Sequence, residues 1–295
     1  PVLESIIQWH IKSTRYNIHV DEETGFVYGG TEGVQLTWMD AKVNDYVVTP
    51  RIGYPVEIQA LWYNALNIYK SLLIDLNEDS FIYQPYLDKI KNNFSSHYWN
   101  EKEGYLYDFL DWHKNPNTDL RPNQIYAASL PFSLLSDLQT KRMIENVKTQ
   151  LYTPYGLRTL NQKHIDFKAT YQGNQYQRDS AYHQGTVWPF LLSEYFTILI
   201  NLYGNKPETI QQIEESLIPL KEHFYKHECI HGISEIFDGD QPGEGKGTIN
   251  QAWSVGALIQ VLTKIEAAKI QFDKQRTPNI KKRTINNTQK ETIRK

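Results

Sequence analysis

The sequence holds a single cysteine, Cys229, so no disulfide can close within it and oxidation adds nothing to its stability. A reducing, cytoplasmic setting is expected. No apolar run approaches the ~18–20 residues needed to span a bilayer, and the N-terminus carries no basic-then-apolar leader. No membrane partner is expected, and the Asn-x-Ser/Thr matches at Asn93 and Asn286 carry no weight without an export signal. Charge of one sign is also lacking: 31 Lys and Arg against 34 Asp and Glu leave −3, with a pI of 6.3. Nothing overall draws the chain to nucleic acid.

What is present is enough for a sizeable core. The 295 residues are 40% hydrophobic with a mean hydropathy of −0.57, which excludes disorder for most of the chain and fits one large domain or two small ones. Aromatic residues make up 13%, including 20 Tyr and 7 Trp. Such rings serve as platforms for sugars, and equally as core.

Ile58, Leu61, Trp62, Ala65, Leu66, Tyr69, Leu72 and Leu73 recur at i, i+3, i+4, i+7 and predict an amphipathic helix over about 54–75. Val187, Trp188, Leu191, Leu192, Tyr195, Phe196 and Leu199 repeat the pattern, and Ala252, Val255, Leu258, Ile259 and Leu262 do so more loosely. Weaker helical stretches cover 1–14, 79–97, 121–136, 139–150 and 206–226. With no alternating strand series, the body reads as all-α. The connections alternate between short (76–78, 137–138, 204–205) and long (15–53, 98–120, 151–182, 227–247). In an up-and-down array of antiparallel helices every second connection lies at the same end, so the four long loops are expected to build one cleft. Residues 271–295 carry eight basic side chains against two acidic ones and few apolar residues, which predicts a disordered basic tail after a domain over 1–270.

Chemistry concentrates in the long loops. Thr37-Trp38-Met39-Asp40-Ala41-Lys42 sets a carboxylate between an aromatic ring and a lysine, a setting suited to acid/base work, although Asp40 could as well cap a turn. Glu235 sits among Ile233, Ile236 and Phe237, where partial desolvation could tune it, while Asp238 and Asp240 beside Gly239 read as turn residues. The run His223, His227, Cys229 and His231 has one metal-like spacing but no H-E-x-x-H, and Lys226 and Glu228 beside it read as helix-end polarity. No metal and no cofactor are expected. Gly239 to Thr248 misses the phosphate-loop spacing and reads as a mobile rim.

The blocks Thr37 to Lys42, Thr49-Pro50-Arg51-Ile52-Gly53 with Pro55-Val56-Glu57, Leu61 to Leu66, Arg121-Pro122-Asn123-Gln124, Gly156 to Leu160, Tyr182-His183-Gln184-Gly185-Thr186-Val187-Trp188-Pro189 and Ser234 to Gly239 stand in one order along the chain. Together they closely resemble the amylo-α-1,6-glucosidase domain of glycogen debranching enzymes over about residues 1–265. The resemblance implies an (α/α)6 barrel of glucoamylase-like type that hydrolyses α-1,6-linked glucosyl stubs of glycogen or limit dextrin with inversion. It makes Asp40 the general acid and Glu235 the general base, a pair expected ~6.5–9.5 Å apart. Trp38, Lys42, Arg51, Glu57, Asn123, Gln124, Arg158, His183, Gln184 and Trp188 become candidates for positioning the sugar. The family barrel implies twelve helices, and eight are counted here, starting where the fifth belongs; the upstream Asp-Trp-Gly-Arg-Asp-type block and a glucanotransferase domain are not seen. The chain therefore resembles the C-terminal two-thirds of a catalytic domain, whose N-terminal part would be its partner. Two other readings stay open: a glucan-binding chain without turnover, and another glycosidase of the same barrel class, glucoamylase- or trehalase-like.

Overall fold

A computed structural model of the chain describes residues 1–204 and 206–292, with side chains through Phe272. The helices are α1 (Val2–Lys12), α2 (Val56–Asp75), α3 (Gln84–Tyr98), α4 (Tyr126–Ser129), α5 (Asp137–Gln150), α6 (Gln175–Ala181), α7 (Leu192–Tyr203), α8 (Pro207–Ser216), α9 (Ile218–Lys226) and α10 (Ala252–Thr292). They pack through neighbours: α2 against α3 and α4, α4 against α7, and α7 against α5, α8 and α10. One apolar core runs through all of them except α6, and Ile90, Phe94 and Tyr98 of α3 are fully buried in it. Each such side chain contributes about 1.5–3 kcal/mol by leaving water. Of the expected basic segment 271–295, only the first two side chains lie within the described residues.

The helical body agrees with the periodicity, but three expected helices are interrupted near prolines, two of them by one cause. Proline clashes with a helical residue before it and drives that residue toward extended backbone. Leu130, before Pro131, is extended (φ −70°, ψ 155°) and ends the helix expected over 121–136 at Ser129. Trp188, before Pro189, is extended as well, so Val187 and Trp188 form a strand and α7 begins only at Leu192. Pro219 opens α9, and the stretch 206–226 divides at Leu217. An unexpected helix, α6, lies inside the loop 151–182. Its start is a capping box in which Asn174 and Gln177 satisfy each other's backbone N–H groups.

The long loops carry short strands: β1 (His19–Val20), β2 (Val27–Tyr28), β3 (Lys42–Val43), β4 (Tyr46–Val47) and β5 (Tyr54–Pro55) in the first, β6 (Trp99–Asn100), β7 (Tyr105–Leu106) and β8 (Phe109–Leu110) in the second. Then come β9 (Tyr152–Thr153), β10 (Gly156–Arg158), β11 (Val187–Trp188), β12 (Ile236–Phe237) and β13 (Gly245–Lys246). Loop backbone that leaves water needs partners, and the loops supply them to one another. β5 pairs with β8, joining the first long loop to the second, and β9 to β13 form one antiparallel sheet in the order β13-β12-β11-β10-β9, joining the third to the fourth. At the first junction Gly53 has φ +131°, and a Cβ there would come within 2.1 Å of the Leu110 carbonyl, so only glycine fits. Within the segment expected to be a mobile rim, Gly245 and Lys246 form β13 and pair with β12.

Candidate active site

The loop residues before Asp40 are held one by one. Arg51 is buried and donates from Nη1 to Thr37 Oγ1 at 3.2 Å. Asn123, fully buried, accepts from Trp38 Nε1 at 2.8 Å, and Thr49 Oγ1 donates to the Met39 carbonyl at 2.9 Å. Below them lies a buried ionic group. Arg51 Nη1 and Nη2 meet Glu57 Oε1 and Oε2 at 2.5 and 2.7 Å, and Arg51 Nε meets Asp108 Oδ2 at 2.8 Å. Burial opposes the Arg51 charge, but Asp108 and Glu57 outweigh it and raise the guanidinium's pKa above its ordinary value. A planar five-donor fork that serves two carboxylates and a hydroxyl is work for arginine and not for lysine.

Asp40 itself is open, with 64% of its side chain exposed. Its Oδ1 lies 3.7 Å from Nε2 of His183, and that neighbour outweighs partial burial, which acts the other way, and holds the pKa below the ordinary carboxylate value. His183 is fully buried, and neither ring nitrogen has a hydrogen-bond partner. Burial keeps the ring neutral by pushing its pKa down, and the attraction of Asp40 is too weak to reverse this. The ring stacks on Trp188 at 5.2 Å and receives the edge of Trp38 at 5.2 Å. Arg121 fixes the backbone here by donating to the His183 carbonyl at 2.9 Å.

Glu235 precedes β12 and is half-buried. Its carboxylate accepts from Thr248 N at 3.0 Å and Gln251 Nε2 at 3.1 Å, and its own N–H donates to the Thr248 carbonyl at 2.9 Å. Asp238 is committed elsewhere, accepting from Tyr171 N at 2.7 Å and Lys246 Nζ at 2.6 Å. Tyr182 packs beside His183, with ring centroids 4.8 Å apart. Burial first, then the facing Glu235 carboxylate, and to a lesser degree Asp40, push its hydroxyl's pKa well above the ordinary value. The hydroxyl therefore stays protonated.

The other expected sugar contacts divide. Trp38 is half-buried beside Asp40, and Lys42 is exposed, donating to the Gly33 carbonyl at 3.1 Å. Arg51, Glu57, Asn123, Gln124, Gln184 and Trp188 are buried, with their polar groups already engaged by protein. Gln124 accepts from Leu106 N and donates to the Arg121 carbonyl; Gln184 accepts from Arg121 Nη2 and donates to the Val48 carbonyl. Arg158 Nε donates to the Gly239 carbonyl at 2.5 Å, tying β10 to the loop of Glu235. These residues hold the walls. Asp108 and Tyr182 were not among the sequence candidates. Tyr182 stands beside His183 in the block Tyr182 to Pro189, whereas Asp108 has only its place on a long loop to mark it, since its partners lie 57 and 15 residues away. A cavity of about 220 Å³ is lined by Arg51 together with Tyr28, Leu36, Thr37 and Ile52.

The sequence matches the family described as amylo-alpha-1,6-glucosidase over residues 1–260. The chain belongs to that family. Membership in the amylo-alpha-1,6-glucosidase family makes it a glycoside hydrolase sequence. It is 25% identical over 304 aligned residues to a glycogen debranching enzyme of Saccharomyces cerevisiae, covering 85% of this chain and 20% of the yeast protein. The chain thus spans about a fifth of that relative's length. Among solved structures, an uncharacterized conserved protein of Thermus thermophilus matches with a TM-score of 0.53 at 15% identity, over 71% of this chain and 46% of that one. The GH63 mannosylglycerate hydrolase of the same organism, in complex with glucose, matches at 0.51 and 15%, over 71% and 48%. Neutral trehalase of Saccharomyces cerevisiae matches at 0.52 and 13%, over 73% and 40%. These likenesses concern the fold. No described helix is long and apolar enough to cross a membrane.

Proposed function

We propose that the chain carries the acid/base half of an inverting glycosidase that removes α-1,6-linked glucosyl stubs from glycogen or limit dextrin. Upstream helices of the same polypeptide would complete an (α/α)6 barrel, and the single cysteine supports a cytoplasmic setting. The observation that carries the reading is the approach of two distant loops: Asp40 lies 3.7 Å from His183, and the block that holds His183 runs into β11, which pairs with β12 directly after Glu235. In this reading Asp40 protonates the leaving oxygen while Glu235, held by Thr248 and Gln251, activates water on the opposite face of the sugar.

Asp40 is ionised in the open site, because His183 favours its charged form. A general acid must be protonated near the working pH. A sugar seated on the exposed carboxyl removes water from the charged form and raises its pKa, so substrate itself recruits the acid. Asp40→Asn and Glu235→Gln keep shape and remove the titrating group. Each is expected to lower turnover on a branched dextrin by ~10²–10⁴-fold with little change in glucan affinity. Loss of the acid should be partly hidden on an activated glucosyl fluoride, and azide should rescue only the Glu235 variant. Turnover within a few-fold of the parent in either variant defeats that assignment.

Comparing branched, linear α-1,4 and α,α-linked substrates tests the bond. Preference for the α,α-linked sugar would favour a trehalase-like enzyme. A second reading, glucan binding without turnover, draws on the exposed and ionised state of Asp40; calorimetric binding of maltodextrin with no glucose release would establish it.

A further inference from the structure

The histidine run that has a metal-like spacing in the sequence has a different place in the fold. His223, on the last turn of α9, is 1% exposed. Its Nε2 receives the backbone N–H of Ser234 at 3.2 Å, and Ser234 Oγ also lies 3.2 Å away. A backbone N–H can only donate, so Nε2 carries the lone pair and the neutral ring bears its proton on Nδ1. Nδ1 lies 3.1 Å from Glu228 Oε2, with its N–H out of line with that oxygen. The other oxygen of Glu228 accepts from Gly245 N at 3.1 Å, the first residue of β13.

The pair therefore touches both strands that hold Glu235. Ser234 precedes Glu235 on the way into β12, and Gly245 opens the strand that leads to Thr248, whose N–H binds the Glu235 carboxylate. The packing is tight enough to demand glycine at 245, where a Cβ would fall 2.0 Å from Ser234 Oγ and 2.9 Å from His223 Cε1. Glu228 keeps a left-handed backbone, φ 42°, a strain that a non-glycine residue accepts only where its surroundings require it.

We propose that the Glu228–His223 pair positions the Glu235 loop, and that a proton on His223 Nε2 releases it. The doubly protonated ring would set an N–H donor against the N–H of Ser234, in place of the acceptor that now holds it. Around the ring, Glu228 favours this protonation and His227, 6.1 Å away on the same side of the chain, opposes it. β12 and β13 meet the ring with Ser234, the edge of Phe237 and the backbone of Gly245, and so add no charge there. Burial supports the neutral form.

The functional half of this proposal rests on Glu235 being the base, so the test has two arms. In the first, hydrogen exchange of peptides covering 233–248 is followed from about pH 7.5 to about pH 5 and corrected for intrinsic exchange. Exchange is expected to rise about tenfold or more as histidine titrates, and the rise should vanish in His223→Gln, whose amide can accept from Ser234 N but cannot titrate. No rise in the parent, or the same rise in the variant, overturns the proposal. If His223→Gln does not fold, the ¹⁵N resonances of the parent's ring decide: a bare Nε2 at neutral pH supports it and an Nε2–H overturns it. In the second arm, His223→Gln should flatten the acid limb of kcat on branched dextrin, with KM within about twofold of the parent. An unmoved acid limb beside an inactive Glu235→Gln overturns the functional half alone. An active Glu235→Gln removes the base assignment and leaves the exchange arm to decide the clamp.

Discussion

Asp108 decides which way Asn123 faces. Asp108 Oδ1 can only accept, and it takes the Asn123 Nδ2–H at 2.7 Å, which leaves Asn123 Oδ1 toward Trp38 Nε1 at 2.8 Å. A carboxylate in the second long loop thereby sets the indole two residues before Asp40.

Asp108→Asn removes that instruction, since an amide at 108 can present either a donor or an acceptor to Asn123. The expected result is a looser Trp38, seen as a shift of tryptophan fluorescence, with kcat on branched dextrin reduced about tenfold or more and a smaller change in KM. The variant also strips one carboxylate from buried Arg51, so a control at Asn123→Leu, which removes the acceptor from Trp38 while Arg51 keeps both carboxylates, separates the two effects. Unaltered kcat in both variants would show that Trp38 is held by packing alone.

Arg51 and Glu57 form a buried bidentate pair, each side chain 3% exposed. Removing Arg51 strands the Glu57 and Asp108 charges in the interior, at a cost of about 3–5 kcal/mol, whereas removing Glu57 leaves Arg51 its Asp108 partner. Arg51→Met should therefore lower the urea midpoint by an amount matching such a loss, without changing the slope. Arg51→Lys should be nearly as damaging, because one ammonium cannot serve Glu57, Asp108 and Thr37 together. A loss below about 1 kcal/mol in either variant would mean that water reaches the pair.

Acid should destabilise the fold through two histidines. The pKa of both His183 and His223 is lowered by burial from the ordinary 6.5, so the unfolded chain binds these protons before the folded one does. Their contribution is fully present above about 6.5 and is lost as pH falls through the lower folded values. Urea denaturation at stepped pH should show this decline beginning near 6.5. In a His183→Gln, His223→Gln double variant the decline should begin only in the carboxylate range, where Asp40 and Asp21, both lowered, take up protons. A parent curve flat down to the carboxylate range would contradict both burials.

The N-terminal helix presents apolar side chains to solvent: Val2, Leu3, Ile6 and Trp9 are 73, 51, 50 and 60% exposed. Contiguous exposed apolar surface favours association. Residues 1–295 are expected to associate with rising concentration in sedimentation equilibrium, and Trp9→Glu with Ile6→Glu should shift the mass toward monomer. A monomeric parent at high concentration would show that α1 folds its apolar side onto the chain in solution.

Most of the helical body was legible because one period of 3.6 residues, written in Leu, Ile and aromatic residues, suffices to mark an amphipathic helix. The ends were less so. Periodicity continues through Leu130 and through Val187–Trp188, and the proline that follows each is the local signal that outranks it. Asn174 and Gln177 likewise carry a readable capping box that the surrounding polar loop obscures. The family resemblance marks Asp40 and Glu235, but not their neighbours' duties: in the fold Gln124 and Arg158 donate to backbone carbonyls, and Gln184 joins Arg121 to the Val48 carbonyl.

By itself the sequence determined the apolar faces of the helices, the alternation of short and long connections, and the family, since each of these lies in local order along the chain. Only the tertiary structure decided which polar groups meet. The partners of Asp108, the tautomer of His223 and the unpartnered nitrogens of His183 depend on distances between loops far apart in sequence. Hydrogen bonds act over about 3 Å, and loop closure brings such groups within that range without leaving any periodic trace in the residues between them.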